Sequence, residues 1–342
     1  MTMAAALDFS LPTELERGAP PVRRDDVRLM VGSRSQSKIH DNVFADLPGH
    51  LRPGDVLVIN TSATLPAAIG ASTEDGEPVV VHFSSCRVDG SWTVEVRKPN
   101  GHGSSPYPEF IGGLLRLDGG ASIETLHRHE KTRRLWIARV KLLGGTHAYL
   151  HRFGRPIRYG YASHPWPLTA YQTVYAREPG AAEMPSAGRP FTTEMITTLV
   201  ASGIAVVPLV LHAGVASLEE GEHPAEEWYS VPVATEVVVN DLRSHGGRVI
   251  AIGTSVVRAL ETVANGDERL HAGTGYTDLV IEADTPLHAI DGLLTGWHEP
   301  RASHLDLVEA VAGRQLLETM YQQAVDLGYA WHEFGDSCLI LP

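Results

Sequence analysis

Residues 246–264 read GGRVIAIGTSVVRALETVA, and this stretch decides the fold class. Gly246-Gly247 closes one element. Arg248–Ile252 is a short apolar run bounded by glycine, which predicts a strand. Thr254–Ala264 then follows as a helix, entered through Gly253-Thr254-Ser255. A strand that turns directly into a helix is the unit of a layered α/β domain. The same alternation continues on both sides. Thr192 and Thr193 cap a helix running to Gly203, and Ile204–Leu211 is a buried strand. Pro232–His245 is a helix with proline in its first turn. Leu279–Glu282 and Ile290–Thr295 read as strands, Ser303–Ala312 and Arg314–Leu327 as helices, and Ser337–Leu341 as a last strand.

Upstream the pattern changes. Asp55–Asn60 is a strand led by Pro53-Gly54, and residues 1–50 read as an irregular, wrapped arm. Residues 67–150 are all-β, with runs at Val79–Phe83, Trp92–Arg97, Leu114–Leu117 and Leu135–Val140. Asp89-Gly90, Asn100-Gly101 and Asp118-Gly119-Gly120 punctuate them as turns, and no helix fits there. The expectation is a large α/β domain with a central sheet, built from 1–66 plus 151–342, carrying an inserted small β-barrel over 67–150. No internal repeat is visible.

Composition narrows the class. With 342 residues, 43% hydrophobic and 20% charged, the chain is neither disordered, collagenous nor coiled coil. No stretch approaches 18 uncharged apolar residues, and the start of the chain lacks the basic and apolar regions of a secretory signal. Cys86 and Cys338, without a CxxC, fit a reducing cytoplasm and exclude a cysteine-built zinc site. The net charge of −13 is uneven: residues 1–191 carry 22 Lys and Arg against 19 Asp and Glu, whereas residues 192–342 carry 6 against 22. A whole-chain basic footprint for nucleic acid is therefore absent. A local one lies between Arg128 and Arg158, where Arg128, Lys131, Arg133, Arg134 and Arg139 lead nine cations against the single acid Glu130. It is either a solvated sheet edge or a surface that tracks phosphates.

The motifs exclude several chemistries. HExxH, GxSxG, GxGxxG and the P-loop pattern are all absent despite 17 histidines, so no metal site, dinucleotide fold or P-loop is expected. Gly253-Thr254-Ser255 opens a helix after a strand, where free N–H groups favour an anion, with Arg258 one turn on; plain N-capping is the alternative. Tyr171-Gln172-Thr173-Val174-Tyr175 offers aromatic and amide groups suited to a planar base, or simply to the core. His298, after a strand, is a candidate acid/base with its pKa near working pH. Asp336 stands before the last strand.

In order and spacing these motifs resemble one family, the S-adenosylmethionine:tRNA ribosyltransferase-isomerases of queuosine biosynthesis, almost from end to end. The resemblance rests on Arg24-Asp25-Asp26-Val27-Arg28-Leu29, Pro53-Gly54-Asp55 to Asn60-Thr61, Tyr171 to Ala176, Pro185-Ser186-Ala187-Gly188, Gly253 to Glu261, Asp291 with Leu294-Thr295, His298 and Pro300, and Gly335-Asp336. It implies an α/β domain with an inserted barrel. It also implies S-adenosylmethionine as ribosyl donor, loss of adenine and methionine, a tRNA deazaguanine as acceptor, and no metal. In that setting Tyr171 and Gln172 would hold adenine or the acceptor base. Thr254, Ser255 and Arg258 would hold the methionyl carboxylate. Ser186, Gly188 and His212 would join the substrate-binding set, His298 would act as acid/base, and Asp336 would orient the ribose or the sulfonium.

The chain departs from the family pattern at several of these places. Pro185-Ser186-Ala187-Gly188-Arg189-Pro190-Phe191 stands where the family reads Pro-Thr-Ala-Gly-Leu-His-Phe. His212-Ala213-Gly214-Val215-Ala216-Ser217-Leu218 replaces His-Val-Gly-x-Gly-Thr-Phe. Glu282, Asp284 and Glu299 add carboxylates, which suit a cationic sulfonium better than a phosphate. Three readings therefore stay open: the family reaction on tRNA, a diverged enzyme that uses S-adenosylmethionine with a small acceptor or cleaves it without tRNA, and a non-catalytic nucleoside- or RNA-binding protein.

Overall fold

A computed structural model describes residues 7–36, 38–101, 103–142, 144–162, 164–215, 225–264, 266 and 269–342. Two sheets organise it. The larger has nine strands, in spatial order Gly273–Thr277, Glu227–Val231, Ala205–Leu211, Val56–Asn60, Val249–Ile252, Gly292–Gly296, Ser337–Leu341, Arg28–Ser33 and Lys38–Val43. The four from Ala205–Leu211 to Gly292–Gly296 run parallel, so their carboxyl ends share one edge. Val56–Asn60 and Val249–Ile252 are buried at every position, which is why their sequences are unbroken apolar runs rather than alternating ones. Successive side chains still part to opposite faces. Val56 and Val58 join a core with Val257, Leu260, Trp297 and Tyr321. Leu57 and Ile59 join a second core with Phe44, Phe191 and Leu199. The sheet is sandwiched between these two layers, with the helices Thr254–Ala264 and Thr193–Ala201 on opposite faces.

The second sheet is antiparallel. Six strands, Ala68–Ser72, Pro78–Cys86, Trp92–Pro99, Leu135–Lys141, Ser122–Arg128 and Leu114–Leu117, close into a barrel because Leu135–Lys141 pairs with Trp92–Pro99. Ser104–Pro106 adds a short strand to its rim. The α/β layer with a small barrel expected from the sequence is the fold observed.

Three local expectations are corrected. Residues 1–50 are not simply an irregular arm: Arg28–Ser33 and Lys38–Val43 complete one edge of the large sheet. Their apolar signal is a single run, Leu29-Met30-Val31, between charged residues. Leu279–Glu282 is not a strand; the ladder is formed by Gly273–Thr277, and Ile281 is buried in the core without a sheet partner. A helix at Thr146–Phe153 begins inside the segment read as all-β, and packs Tyr149 and Leu150 onto the barrel core. Among the described residues no helix is long and apolar enough to cross a membrane.

Candidate active site

A cavity of about 570 Å³ lies where the carboxyl edge of the large sheet meets the barrel rim. The sheet supplies it through the turns that leave its strands. After Val249–Ile252, Gly253 adopts φ +99°, a conformation natural only to glycine, and a Cβ there would stand 3.3 Å from Ala187. That turn delivers Thr254, Ser255 and Arg258 to the cavity. After Gly292–Gly296 come Trp297, His298 and Glu299, and the loop before Ser337–Leu341 adds His332 and Glu333. Ser186 and Ala187 form another stretch of wall, and Tyr159, Tyr161 and Glu183 a further one. The barrel contributes Arg97 and Ser104.

The electrostatics are acidic. Glu16, Glu183, Glu227, Glu299 and Glu333 line the cavity against Arg97 and Arg258. Both arginines are already engaged. Arg97 Nη1 donates to Glu95 at 2.5 Å and its Nε to Ser104 Oγ at 2.9 Å. Arg258 pairs with Glu227 and donates Nε to the Leu279 carbonyl at 2.9 Å. Several carboxylates are instead held by neutral groups: the Tyr159 hydroxyl donates to Glu183 and Tyr161 bonds Glu333. Burial raises the pKa of Glu333, and burial together with Glu16 raises that of Glu299. His332 stacks on Tyr161, ring centroids 3.7 Å apart, with Glu16 and Glu299 at 3.9 and 3.8 Å from its two ring nitrogens. Its backbone lies at φ +72°, an uncommon conformation for a residue with a Cβ. Burial pushes its pKa down to about 4, so the ring is neutral.

Of the residues singled out from the sequence, Ser186, Thr254, Ser255, Arg258 and His298 come together here. Ser255 Oγ accepts from Asn60 Nδ2 at 3.2 Å. His298 is not poised near working pH. Burial, aided by His304, pushes its pKa down to about 3, and its Nε2 meets Thr295 Oγ1 at 3.1 Å. It is a neutral imidazole in the wall.

The others stand elsewhere. Tyr171 lines a separate cavity of about 400 Å³ and packs its ring on Phe334. Gln172 spends its amide on both backbone groups of Thr64, at 3.0 and 2.7 Å. Gly188 makes room for Tyr175, whose hydroxyl would lie 1.9 Å from an added Cβ. His212 bonds Ser62 Oγ at 2.7 Å, stacks on Trp228 and faces another cavity. The motif residues Ala216, Ser217 and Leu218 that follow it lie outside the described residues. Asp336 accepts from the amides of Arg28 and Ala330 at 2.8 and 2.7 Å, ahead of the last strand. For Gln172 and Asp336 the polar group is consumed by backbone, which its residue type alone cannot reveal.

The basic block is also partly spent. Arg134 is largely withdrawn from the surface: its side chain, 10% exposed, pairs with Glu95 at 3.1 Å. Arg139 pairs with Glu124 at 3.0 Å, and Lys131 with Asp278. Arg128 lies over Trp136 and donates to the Phe110 carbonyl at 2.8 Å, while Arg133 is exposed. Tyr159, Tyr161, Glu183, His332 and Glu333 were missed by the sequence reading. The nearest signal was the adjacent Phe334-Gly335-Asp336. Among the described residues no cluster of three or more metal-ligating side chains occurs.

Comparison with known proteins gives a consistent result. Residues 4–340 match the queuosine biosynthesis protein family. The chain is 35% identical to the S-adenosylmethionine:tRNA ribosyltransferase-isomerase of Moorella thermoacetica, over 98% of each chain. It is 36% identical to that of Thermosynechococcus vestitus, over 98% of this chain and 95% of the other. The crystal structure of the S-adenosylmethionine tRNA ribosyltransferase of Thermotoga maritima superposes with a TM-score of 0.56 at 28% identity, covering 98% of this chain and 99% of that one.

Proposed function

The chain belongs to the queuosine biosynthesis protein family, and on that premise we propose that it is an S-adenosylmethionine-dependent ribosyltransferase-isomerase acting on a deazaguanine base in tRNA. S-adenosylmethionine is the ribosyl donor and tRNA the acceptor, as in the relatives' names. The reaction releases adenine and methionine, and a tRNA substrate supports a cytoplasmic location.

The observation that carries this reading on the chain's own residues is the charge balance of the cavity. Five carboxylates face two arginines, each of which already has a carboxylate partner. Such a site attracts a sulfonium cation and stabilises charge developing beside it. The start of the helix at Thr254 offers hydroxyl and N–H groups to the methionyl carboxylate. Arg258, locked to Glu227, positions that helix rather than neutralising the substrate. Glu333, its proton affinity raised by burial, is a better acceptor for the ribose 5′ proton than His298. His298 serves as a neutral hydrogen-bonding wall. Tyr171, Gln172, Gly188, His212 and Asp336 brace the loops around the site.

The test is product analysis by mass spectrometry with S-adenosylmethionine, with and without tRNA bearing the deazaguanine precursor. Adenine and methionine released only with tRNA is the expected result. Release that ignores tRNA would overturn the acceptor, and no release under either condition would overturn the activity.

A further inference from the structure

Arg189 is a buried cation with no carboxylate beside it. The residue is 4% exposed, and neither Nε nor Nη1 has a hydrogen-bond partner. Guanidinium keeps its charge at neutral pH, and a charge taken out of water needs an opposite charge or a full set of hydrogen bonds. The neighbours supply neither. Among the described residues no acid forms an ion pair with it. Arg24 instead approaches its backbone, donating Nη1 to the Arg189 carbonyl at 3.1 Å and to that of Gln172 at 2.7 Å. Burial, then repulsion from Arg24 and Arg17, lowers the Arg189 pKa to about 10, which leaves it charged at pH 7. The Phe334 ring, 5.2 Å away, occupies its flat face and offers no acceptor to its N–H edge.

A buried hydroxyl also lacks a partner in this part of the chain. Thr173 Oγ1 also has no hydrogen-bond partner, and Thr173 packs on the residue preceding Arg189, its Cγ2 3.1 Å from where a Gly188 Cβ would sit. The protein thus provides Arg189 with no negative group. An oxyanion supplies both the opposite charge and acceptors for its unpartnered N–H groups.

We infer that the buried, unpartnered guanidinium of Arg189 binds a compact oxyanion, a carboxylate or phosphate group of a small molecule. The burial of Arg189 favours a small anion over the backbone of a nucleic acid. The site is distinct from the helix start at Thr254 and does not depend on the reaction assigned above. Its position gives it leverage. Arg189 follows the Ser186–Gly188 turn, and Phe334 follows Glu333, so the two segments that meet at Arg189 both continue into the cavity wall. An anion that fixes Arg189 fixes both.

The experiment is thermal unfolding of the full chain at constant ionic strength, titrated with inorganic phosphate or with acetate, alongside ³¹P line broadening of phosphate. The wild type is expected to show a saturable rise in Tm and broadening with at least one of the two anions, and the effective anion identifies the group. Arg189→Leu should abolish the response and, without anion, unfold at a higher temperature than the wild type because an unpaired buried cation is gone. Arg189→Lys should keep a weakened response. A wild type whose Tm and phosphate line are indifferent to both anions overturns the inference, whether or not the variants fold. So does a response that survives in Arg189→Leu.

Discussion

Apart from the Arg258–Glu227 pair, the two walls of the cavity hold buried charge in opposite ways. On the barrel side Glu95 is a closed hub: Arg97 stands at 2.5 Å, Arg134 at 3.1 Å and the His82 ring at 3.7 Å, all with side chains at most 10% exposed. On the large-sheet side Glu333 is held by the neutral Tyr161 hydroxyl, and Glu16 and Glu299 flank a neutral imidazole. Charge that is closed on itself acts as scaffold. Charge held by neutral donors keeps its field for whatever enters the cavity. The difference separates residues that keep the fold from residues that serve the substrate.

Breaking the hub should have the largest effect. Glu95→Ala leaves Arg97 and Arg134 buried and uncompensated, a change of the kind that costs about 3–5 kcal/mol. Urea unfolding should show that loss. A loss below about 1 kcal/mol would mean that water already reaches the hub and that it is no scaffold.

Glu333→Gln probes the other wall. It keeps the shape and the bond to Tyr161 but removes the charge, so stability should move by less than about 1 kcal/mol. Turnover of S-adenosylmethionine should fall about 10²–10⁴-fold in kcat/KM, the worth of a positioned general base. If Glu333→Gln instead unfolded the protein as Glu95→Ala is expected to, the distinction between the walls would be lost.

The strand–turn–helix edge could be read from the sequence because it is local. Val249 to Ala264 carries strand, glycine turn and helix in one window, and its N-terminal groups reach the cavity without help from the rest of the chain. The barrel was legible for the same reason, through short β-branched and aromatic runs and turn glycines. The carboxylate wall was not, since Tyr159 with Glu183 and Tyr161 with Glu333 meet only after the loops converge. Gln172 and Asp336 show the reverse error. Their polar groups suit a ligand equally well, and only coordinates reveal that backbone amides already occupy them. Arg134 was read as surface because a run of basic residues in a turn does not say which of them folds back onto the barrel.

Acid should strain both walls alike. The imidazoles of His82 and His298 are pushed from the ordinary 6.5 down to about 3, by burial first and then by Arg97, Arg134 and Arg155 around His82, and by His304 beside His298. The unfolded chain therefore binds more protons than the folded one between those values. Stability is complete above pH 6.5 and falls as pH drops toward 3. By pH 5 each imidazole should account for about 1–2 kcal/mol of that loss. Urea midpoints at pH 7.5 and 5.0 should show His298→Gln losing less stability between the two than the wild type. An unchanged difference would mean that the ring already takes up a proton in the folded state.

The smallest effect is expected where barrel and large domain meet at the surface. Lys131 lies between the barrel strands Ser122–Arg128 and Leu135–Lys141, and Asp278 directly follows the edge strand Gly273–Thr277 of the large sheet. Their side chains are 45% and 56% exposed, so solvent screens the pair, and a double-mutant cycle on Lys131→Ala and Asp278→Ala should give a coupling below about 1 kcal/mol. A larger value would make this contact, rather than the buried hub, a main tie of the barrel. The same lysine also bears on the acceptor. If its charge is available to tRNA despite Asp278, Lys131→Ala should lower the slope of log affinity against log salt by about one. If Asp278 holds that charge, the slope should stay and Arg133→Ala should change it instead. Whichever variant moves the slope identifies the part of the basic block that touches phosphate, since Arg134 is turned in against Glu95.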